Sequence, residues 1–300
     1  MSKIVLVTGA SSGFGRMIAR DFASAGHVAY ASMRGTTGRN AAAVADGGSF
    51  ARNHGVDLRT VELDVQDDAS IEAAVKAIIA EHGRIDVLVH NAGHMTWGPS
   101  EAFTSEQLAE LYDINVLGAQ RVNRAVLPHM RAAREGLLVW VGSSSAAGGV
   151  PPFLGPYFAA KAAMDALAVC YAKELAPFGI ETSIVVPGAF TTGTNHFAHA
   201  GAPEDQGTAD AYTQAYPPRF AEEIKDALAA TVPDWADPAE VGRAVVSVVA
   251  SPPGTRPLRI HVDPASDGAA VSYAVIDRVR EQFLARIGHP ELLHPRPRVV

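Results

Sequence analysis

The strongest constraint on this chain is a glycine-rich turn set directly between a short apolar run and a helical pattern. Ile4 to Val7 is followed by Thr8-Gly9-Ala10-Ser11-Ser12-Gly13-Phe14-Gly15, and apolar residues then recur at helical spacing from Phe14 to Ala25. A strand that turns through glycines into a helix presents backbone N–H groups and the positive end of the helix dipole to an anion. Side chains in the turn would hold the anion away, and Gly9, Gly13 and Gly15 carry none. The requirement matches a pyrophosphate, although the same spacing also builds a tight strand-to-helix turn with no ligand. What decides between the two is the rest of the chain.

Short β-branched runs alternate with longer helical patterns. The expected strands are Ile4–Val7, Val28–Ser32, Leu58–Leu63, Val87–Val89, Leu137–Val141, Ile184–Val186 and Leu258–Val262. The expected helices are Phe14–Ala25, Asp68–His82, Ser105–Arg131, Pro156–Ala176, Pro238–Ala250 and Val271–Arg286. Such alternation implies right-handed crossovers and a parallel sheet covered on both faces, which is why the strands read as unbroken apolar runs. The fold class is therefore α/β: one Rossmann-like, doubly wound domain of about seven parallel strands over residues 1–265, followed by an extension over 266–300 packed on the same domain. Gly35–Val56 and Phe190–Asp234 fall outside the alternation. The second, at about 190–235 and rich in Gly, Pro and aromatic residues, is the candidate substrate lid.

Charge and cysteine usage remove several classes of partner. The 25 basic and 32 acidic residues give a net charge of −7, with no long Lys/Arg run, so no nucleic-acid partner is expected. No stretch approaches the length of a membrane span, and Met1-Ser2-Lys3 enters the first strand without room for a signal segment. Cys170 is the only cysteine, which excludes an intrachain disulfide and favours a cytoplasmic setting. His196 and His199 lack acidic or cysteine partners at supporting spacing, so no metal is expected.

Tyr157 and Lys161 stand four apart at the start of an expected helix and share one face. Reducing a carbonyl requires a proton donor for the developing alkoxide. A free phenol is too weakly acidic to be a good base in reverse unless a cation stabilises its phenolate. The pair also occurs by chance on ordinary helices, where a lysine stem covers the ring. Upstream, the strand Leu137–Val141 delivers Gly142-Ser143-Ser144-Ser145 at its C-terminal end, where open α/β sheets bind ligands. A hydroxyl there suits polarising a carbonyl, and residues alone do not say which of the three serines does so. At the end of the second strand, where an acidic residue would bind a ribose 2′-hydroxyl, the chain reads Ala31-Ser32-Met33-Arg34. Arg34 suits a 2′-phosphate, so NADP(H) is preferred, with NAD(H) as the alternative.

Taken in order, Thr8-Gly9-x-x-x-Gly13-x-Gly15, Asn91-Ala92-Gly93, the serine cluster, Tyr157-x-x-x-Lys161 and Pro187-Gly188 resemble the short-chain dehydrogenase/reductase family over roughly residues 3 to 262. The resemblance implies an oxidoreductase that interconverts a ketone or aldehyde with an alcohol, Tyr157 serving as acid and base and Lys161 lowering its pKa. It implies Ser144, thirteen positions before the tyrosine, as the carbonyl-orienting hydroxyl, and Asn115 as the holder of a structural water beside the lysine. The implied cofactor set comprises Thr8, Gly9, Ser11, Ser12, Gly13, Phe14, Gly15 and Arg34, then Asp64 and Val65 at the adenine and Asn91, Ala92 and Gly93 at the ribose. Tyr157, Lys161, Pro187, Gly188, Phe190 and Thr192 complete it on the nicotinamide side. The lid aromatics Phe190, Phe197, Tyr212, Tyr216, Phe220 and Trp235 suit an apolar substrate. Family members pair through the helices expected at Ser105–Arg131 and Pro156–Ala176, which implies a homodimer or homotetramer. A cofactor-sensing module without turnover, and an epimerase or dehydratase, are the competing functions. The chain departs from common members at Phe14, at His90 and in its C-terminal extension.

Overall fold

The computed structural model describes residues 2–194 and 197–295. Among them are β1 (Ile4–Val7), α1 (Gly13–Ser24), β2 (Val28–Met33), α2 (Ala41–His54), β3 (Leu58–Glu62), α3 (Asp68–His82) and β4 (Val87–His90). Next come α4 (Ser105–Tyr112), α5 (Gly118–Ala133), β5 (Gly136–Val141), α6 (Gly155–Leu175) and β6 (Ile180–Pro187). The chain continues through α7 (Gln206–Ala215), α8 (Phe220–Ala230), α9 (Ala239–Ala250), β7 (Arg259–Val262) and α10 (Ala269–Arg286).

All strand pairs are parallel, in the order β3-β2-β1-β4-β5-β6-β7. The winding direction reverses between β1 and β4, and a crevice at the carboxyl ends of strands on either side of such a reversal is where doubly wound sheets hold ligands. Both faces are apolar because both are covered. Leu6, Leu88, Leu138, Trp140 and Ile184 meet Ile71, Ile78, Val122, Val126 and Met164 of α3, α5 and α6. Val5, Val7, Val87, Val89, Val139 and Val185 meet Ile18, Phe22, Val241 and Val245 of α1 and α9 on the other side.

Four sequence expectations need correcting. Gly35–Val56 is not irregular: Asn40 leads into α2, which lays the partly buried Ala43, Val44, Phe50 and Ala51 against the core, with Arg20 4.5 Å from the Phe50 ring centroid and ion-paired to Asp46. No residue of α2 is fully buried, so little apolar stripe announces the helix. The lid region likewise holds α7 and α8. The helix expected over Ser105–Arg131 is interrupted by a π-helical turn at Asp113–Leu117. Finally, β6 begins at Ile180 rather than Ile184. Its first residues are polar yet buried: Glu181 is ion-paired to Arg256, and the Ser183 hydroxyl donates to the Pro257 carbonyl at 2.7 Å.

Helix α10 is joined to α6 and β7. Arg259 of β7 reaches Asp165 of α6 at 2.5 Å and Asp277 of α10 at 2.7 Å, with its guanidinium 3.6 Å from the Tyr273 ring centroid. Ala269 and Tyr273 are buried in the core layer shared with α6. No helix among the described residues is long and apolar enough to cross a membrane.

Candidate active site

The glycines of the first turn divide their work. Gly9 and Gly13 adopt left-handed φ values of 65° and 53°. A Cβ on Gly9 would lie 2.7 Å from the Ala92 Cα, and one on Gly15 would lie 2.3 Å from the Asn91 side-chain nitrogen and 2.5 Å from the Gly9 carbonyl oxygen. These two let the turn close on itself and on the end of β4. Gly13 alone of the three faces open space, with nothing within 4 Å of a Cβ built there. It opens α1, whose N-cap Ser12 is extended and makes no side-chain cap, so first-turn N–H groups are left for an anion. Phe14 points into the core and meets Phe190 edge-on at 5.6 Å, which explains how the larger residue is accommodated.

Thr8 and Asn91, both expected at the cofactor, use their side chains on the scaffold. The buried Thr8 hydroxyl donates to the Val89 carbonyl at 3.1 Å and accepts from the Asn91 and Ala92 N–H groups. The Asn91 amide donates to the Thr8 and Gly9 carbonyls at 2.9 and 3.0 Å. They clamp the glycine turn to β4. At the neighbouring strand ends, exposed Arg34 extends from β2 toward Asp64, 3.7 Å away, and donates to Gln66 at 3.3 Å. Its loop is pinned by the Glu62 carboxylate, which accepts from the Gly35 and Thr36 N–H groups. Val65 is buried under Gly118, while Thr192 is exposed near the end of β6. Gly188 at that end cannot carry a side chain, because a Cβ would collide with Asp263.

Lys161 and Asn115 meet beside Gly93, and Tyr157 stands one helical turn before Lys161 on α6. Lys161 is buried and donates to the Val141 carbonyl at 3.2 Å, and desolvation by burial pushes its pKa down to about 8. Tyr157 is buried too, and burial pushes its phenol up to about 12, with the Ser143 hydroxyl pulling weakly the other way. Asn115, fully buried in the π-helical turn, donates to the His94 and Leu111 carbonyls at 3.0 and 2.9 Å and accepts from the His94 N–H at 3.3 Å. It fixes the loop after β4. A Cβ on Gly93 would lie 2.8 Å from the Asn115 oxygen and 3.6 Å from the Lys161 ammonium, so glycine lets that loop pass between them.

Of the three serines, the electrostatics of the Tyr157 phenol respond to Ser143, although no serine hydroxyl is hydrogen-bonded to Tyr157. Ser143 is extended at the exit of β5, with its hydroxyl accepting from the Ser145 N–H at 3.2 Å. Ser144 opens a short 3-10 turn at Ser144–Ala146 and is buried there. Ser143 lies fourteen positions before Tyr157 and Ser144, the serine implied by the resemblance, thirteen, and both stand at the exit of β5.

Residues from the 190–235 region pack beside this group, with Ala200 and Leu228 against the cluster of Met95, Leu154 and Tyr157. Trp97 and Gly201 are joined through backbone hydrogen bonds at 2.8 and 2.9 Å, from the Gly201 N–H to Met95 and from the Trp97 N–H to Gly201. Gln107, which forms a capping box with Thr104, also donates to the Ala202 carbonyl and accepts from the Glu204 N–H. Nothing in the sequence marks Gln107 as the residue that holds Ala202 and Glu204. Phe153, at a left-handed φ of 72°, contacts Trp97, Tyr216 and Phe220. Trp97 also meets Phe197. Of the other expected lid aromatics, Phe190 joins the core, Tyr212 donates to Glu101 and Trp235 is 74% exposed. His196 lies outside the described residues, among which no group of three metal-ligating side chains gathers.

Residues 3–202 match the family described as short chain dehydrogenase. A 3-ketodihydrosphingosine reductase of Bacteroides thetaiotaomicron is 36% identical over 191 residues, 64% of this chain and 65% of that protein, so the match spans just under two thirds of the relative's length. A short-chain dehydrogenase from Streptomyces avermitilis superposes with a TM-score of 0.74 at 30% identity, covering 95% of this chain and 97% of that one. An actinorhodin polyketide ketoreductase with NADPH gives 0.71 at 27% identity over 89% and 98%. With the parallel seven-stranded sheet, the glycine turn after β1 and the Tyr157–Lys161 pair on α6, these matches place the chain in the short-chain dehydrogenase/reductase family.

Proposed function

We propose that this protein is an NADP(H)-dependent oxidoreductase that interconverts an apolar ketone or aldehyde with its alcohol. The observation that carries the reading is the placement of a buried Tyr157 phenol and a buried Lys161 ammonium one helical turn apart on α6, with Lys161 bonded to the Val141 carbonyl at the carboxyl end of β5. The dinucleotide fits the residues present: Gly13 leaves open space at the uncapped N-terminus of α1, and Arg34 is an exposed guanidinium at the end of β2. Ser11, Ser12, Gly13 and the first turn of α1 would hold the pyrophosphate, with Arg34 at the 2′-phosphate, Asp64 and Val65 at the adenine, Ala92 and Gly93 at the ribose, and Pro187, Gly188 and Thr192 beyond. The bound cofactor supplies or takes up the hydride.

The chain's own groups handle the proton and the oxygen. Tyr157 protonates the oxygen of the reduced carbonyl, and a phenol held near 12 stays protonated throughout the neutral range. Ser143 orients that oxygen in the role expected of Ser144. Lys161 places a cation beside the phenol, favouring the phenolate in the reverse direction. Asn115, through the His94 backbone, keeps the β4 loop clear of the lysine.

Arg34→Ala is expected to weaken NADPH binding by about tenfold or more, the scale of one charge-assisted pair, with little effect on NADH. Parallel titrations following nicotinamide fluorescence measure this, and equal losses for both nucleotides would sink the NADP assignment. The extension over 266–300 belongs to the same domain in this reading, supported by the Arg259–Asp277 pair. The lone thiol Cys170 supports a cytoplasmic setting. A homodimer or homotetramer is supported by Leu108, Tyr112 and Leu117, which expose apolar surface along α4 and the π-helical turn. Sedimentation at a mass well above 31.5 kDa is expected, and a monomeric mass overturns this assembly.

A further inference from the structure

The lid carries a cation that no carboxylate among the described residues neutralises. Lys225 of α8 is partly buried, and its ammonium lies 4.8 Å from the centroid of the Trp97 ring. It forms no ion pair with any described residue, although Glu222, Glu223 and Asp226 are on the same helix. Trp97, with Phe158, Ala200 and Leu228, packs against the cluster of Met95, Leu154 and Tyr157. Leu228 follows Lys225 by three positions and therefore lies on the same face of α8. The ammonium is thus held at the lid's inner side, one indole away from the cluster that contains the tyrosine.

Partial burial withdraws hydration from an ammonium, and an aromatic face returns only part of it, about 0.5–1 kcal/mol at exposed sites. The ring neighbours of Trp97, Phe153 and Phe197, and those of Phe153, Tyr216 and Phe220, are themselves apolar and bring no counter-charge. The geometry points to a substrate with an apolar body and a carboxylate end: its carbonyl at Tyr157, its body along the aromatic wall and its carboxylate on Lys225. A single ammonium matches a monoanion. This inference rests on the carbonyl chemistry proposed above and adds the charge of the substrate's far end.

A series of methyl-ketone fatty acids of increasing chain length, each compared with its neutral methyl ester, tests it. At the best chain length the acid is expected to exceed the ester in kcat/KM by about tenfold or more, the scale of one hydrogen bond to a charged group. Lys225→Met is expected to bring the acid-to-ester ratio near one, and Lys225→Arg to retain most of the preference. Equal rates for acids and esters in the unaltered protein, or a preference that survives Lys225→Met, overturn the carboxylate site and leave the reductase reading standing. If no ketone is reduced, that reading fails. Tryptophan fluorescence titration with the same acids then decides the carboxylate site separately: binding weakened about tenfold in Lys225→Met upholds it, and absent or unchanged binding overturns it.

Discussion

Replacing Tyr157 by phenylalanine is expected to cut single-turnover reduction by about 10³-fold, within the range for losing a positioned general acid, while leaving NADPH affinity within a few-fold. The substitution removes one oxygen and keeps the ring, which packs against Met95 and Leu154. The fold therefore tolerates it, and the rate loss reports chemistry and not collapse. Burial pushes the phenol up to about 12, so between pH 6 and 9 the unaltered residue is a ready acid and the reduction rate is not set by its own titration. Oxidation of the alcohol needs the phenolate and is expected to rise with pH across the same interval. Turnover near normal in Tyr157→Phe would remove the mechanism. A paired comparison separates the serines: Ser143→Ala is expected to lose about 10²-fold, the scale of one donor to a developing oxyanion, and Ser144→Ala only a few-fold. The reverse order of effects would restore the assignment made by spacing.

The sequence reveals much of this architecture because burial on both faces of a parallel sheet writes apolar runs that need no partner to be recognised. Ile4–Val7 and Leu137–Val141 match their observed strands to within a residue. Where a strand buries charge, that signal fails: Glu181 and Ser183 look like loop residues until Arg256 and the Pro257 carbonyl are placed beside them. The helices missed at Ala41–His54 and Gln206–Ala215 bury no residue fully and carry little stripe to find, whereas α8 does repeat Phe220, Ile224 and Leu228 at helical spacing, a signal hidden among the surrounding Gly, Pro and aromatic residues. In the site, the pair Tyr157 and Lys161 is legible because both lie on one helix at fixed spacing. Residues whose work is done across the fold are not. Thr8 and Asn91 look like cofactor ligands beside the glycines, yet their hydrogen bonds hold β1 to β4. Which serine acts on the tyrosine depends on how Ala146 to Pro156 is routed, and a count of positions does not contain that route.

Lys161→Met is expected to raise stability while lowering turnover by about 10²-fold or more. Burial drives the lysine from its ordinary 10.5 down to about 8, so near pH 7 the folded protein carries an ammonium that it solvates less well than water does. Each pKa unit corresponds to about 1.4 kcal/mol, which makes the cost about 3 kcal/mol; the lost hydrogen bond to Val141 offsets about 1 kcal/mol of the gain from removing it. A net gain of about 2 kcal/mol is expected at pH 7, a rise of some 4–8 °C in Tm for a chain of this size. The sign follows from proton counts. Between about 8 and 10.5 the unfolded chain binds more protons at this lysine than the folded one, so the unaltered protein gains stability as pH rises through that window. The advantage of Lys161→Met should therefore be complete below pH 8 and shrink steadily toward pH 10.5. Thermal unfolding of the two proteins across that range measures the difference directly and cancels titrations they share. A variant that is less stable at pH 7, or whose advantage does not change with pH, would mean that Lys161 is well solvated in its site. The ammonium beside Tyr157 would then be an ordinary surface cation, without the desolvated field that its proposed action on the phenol requires.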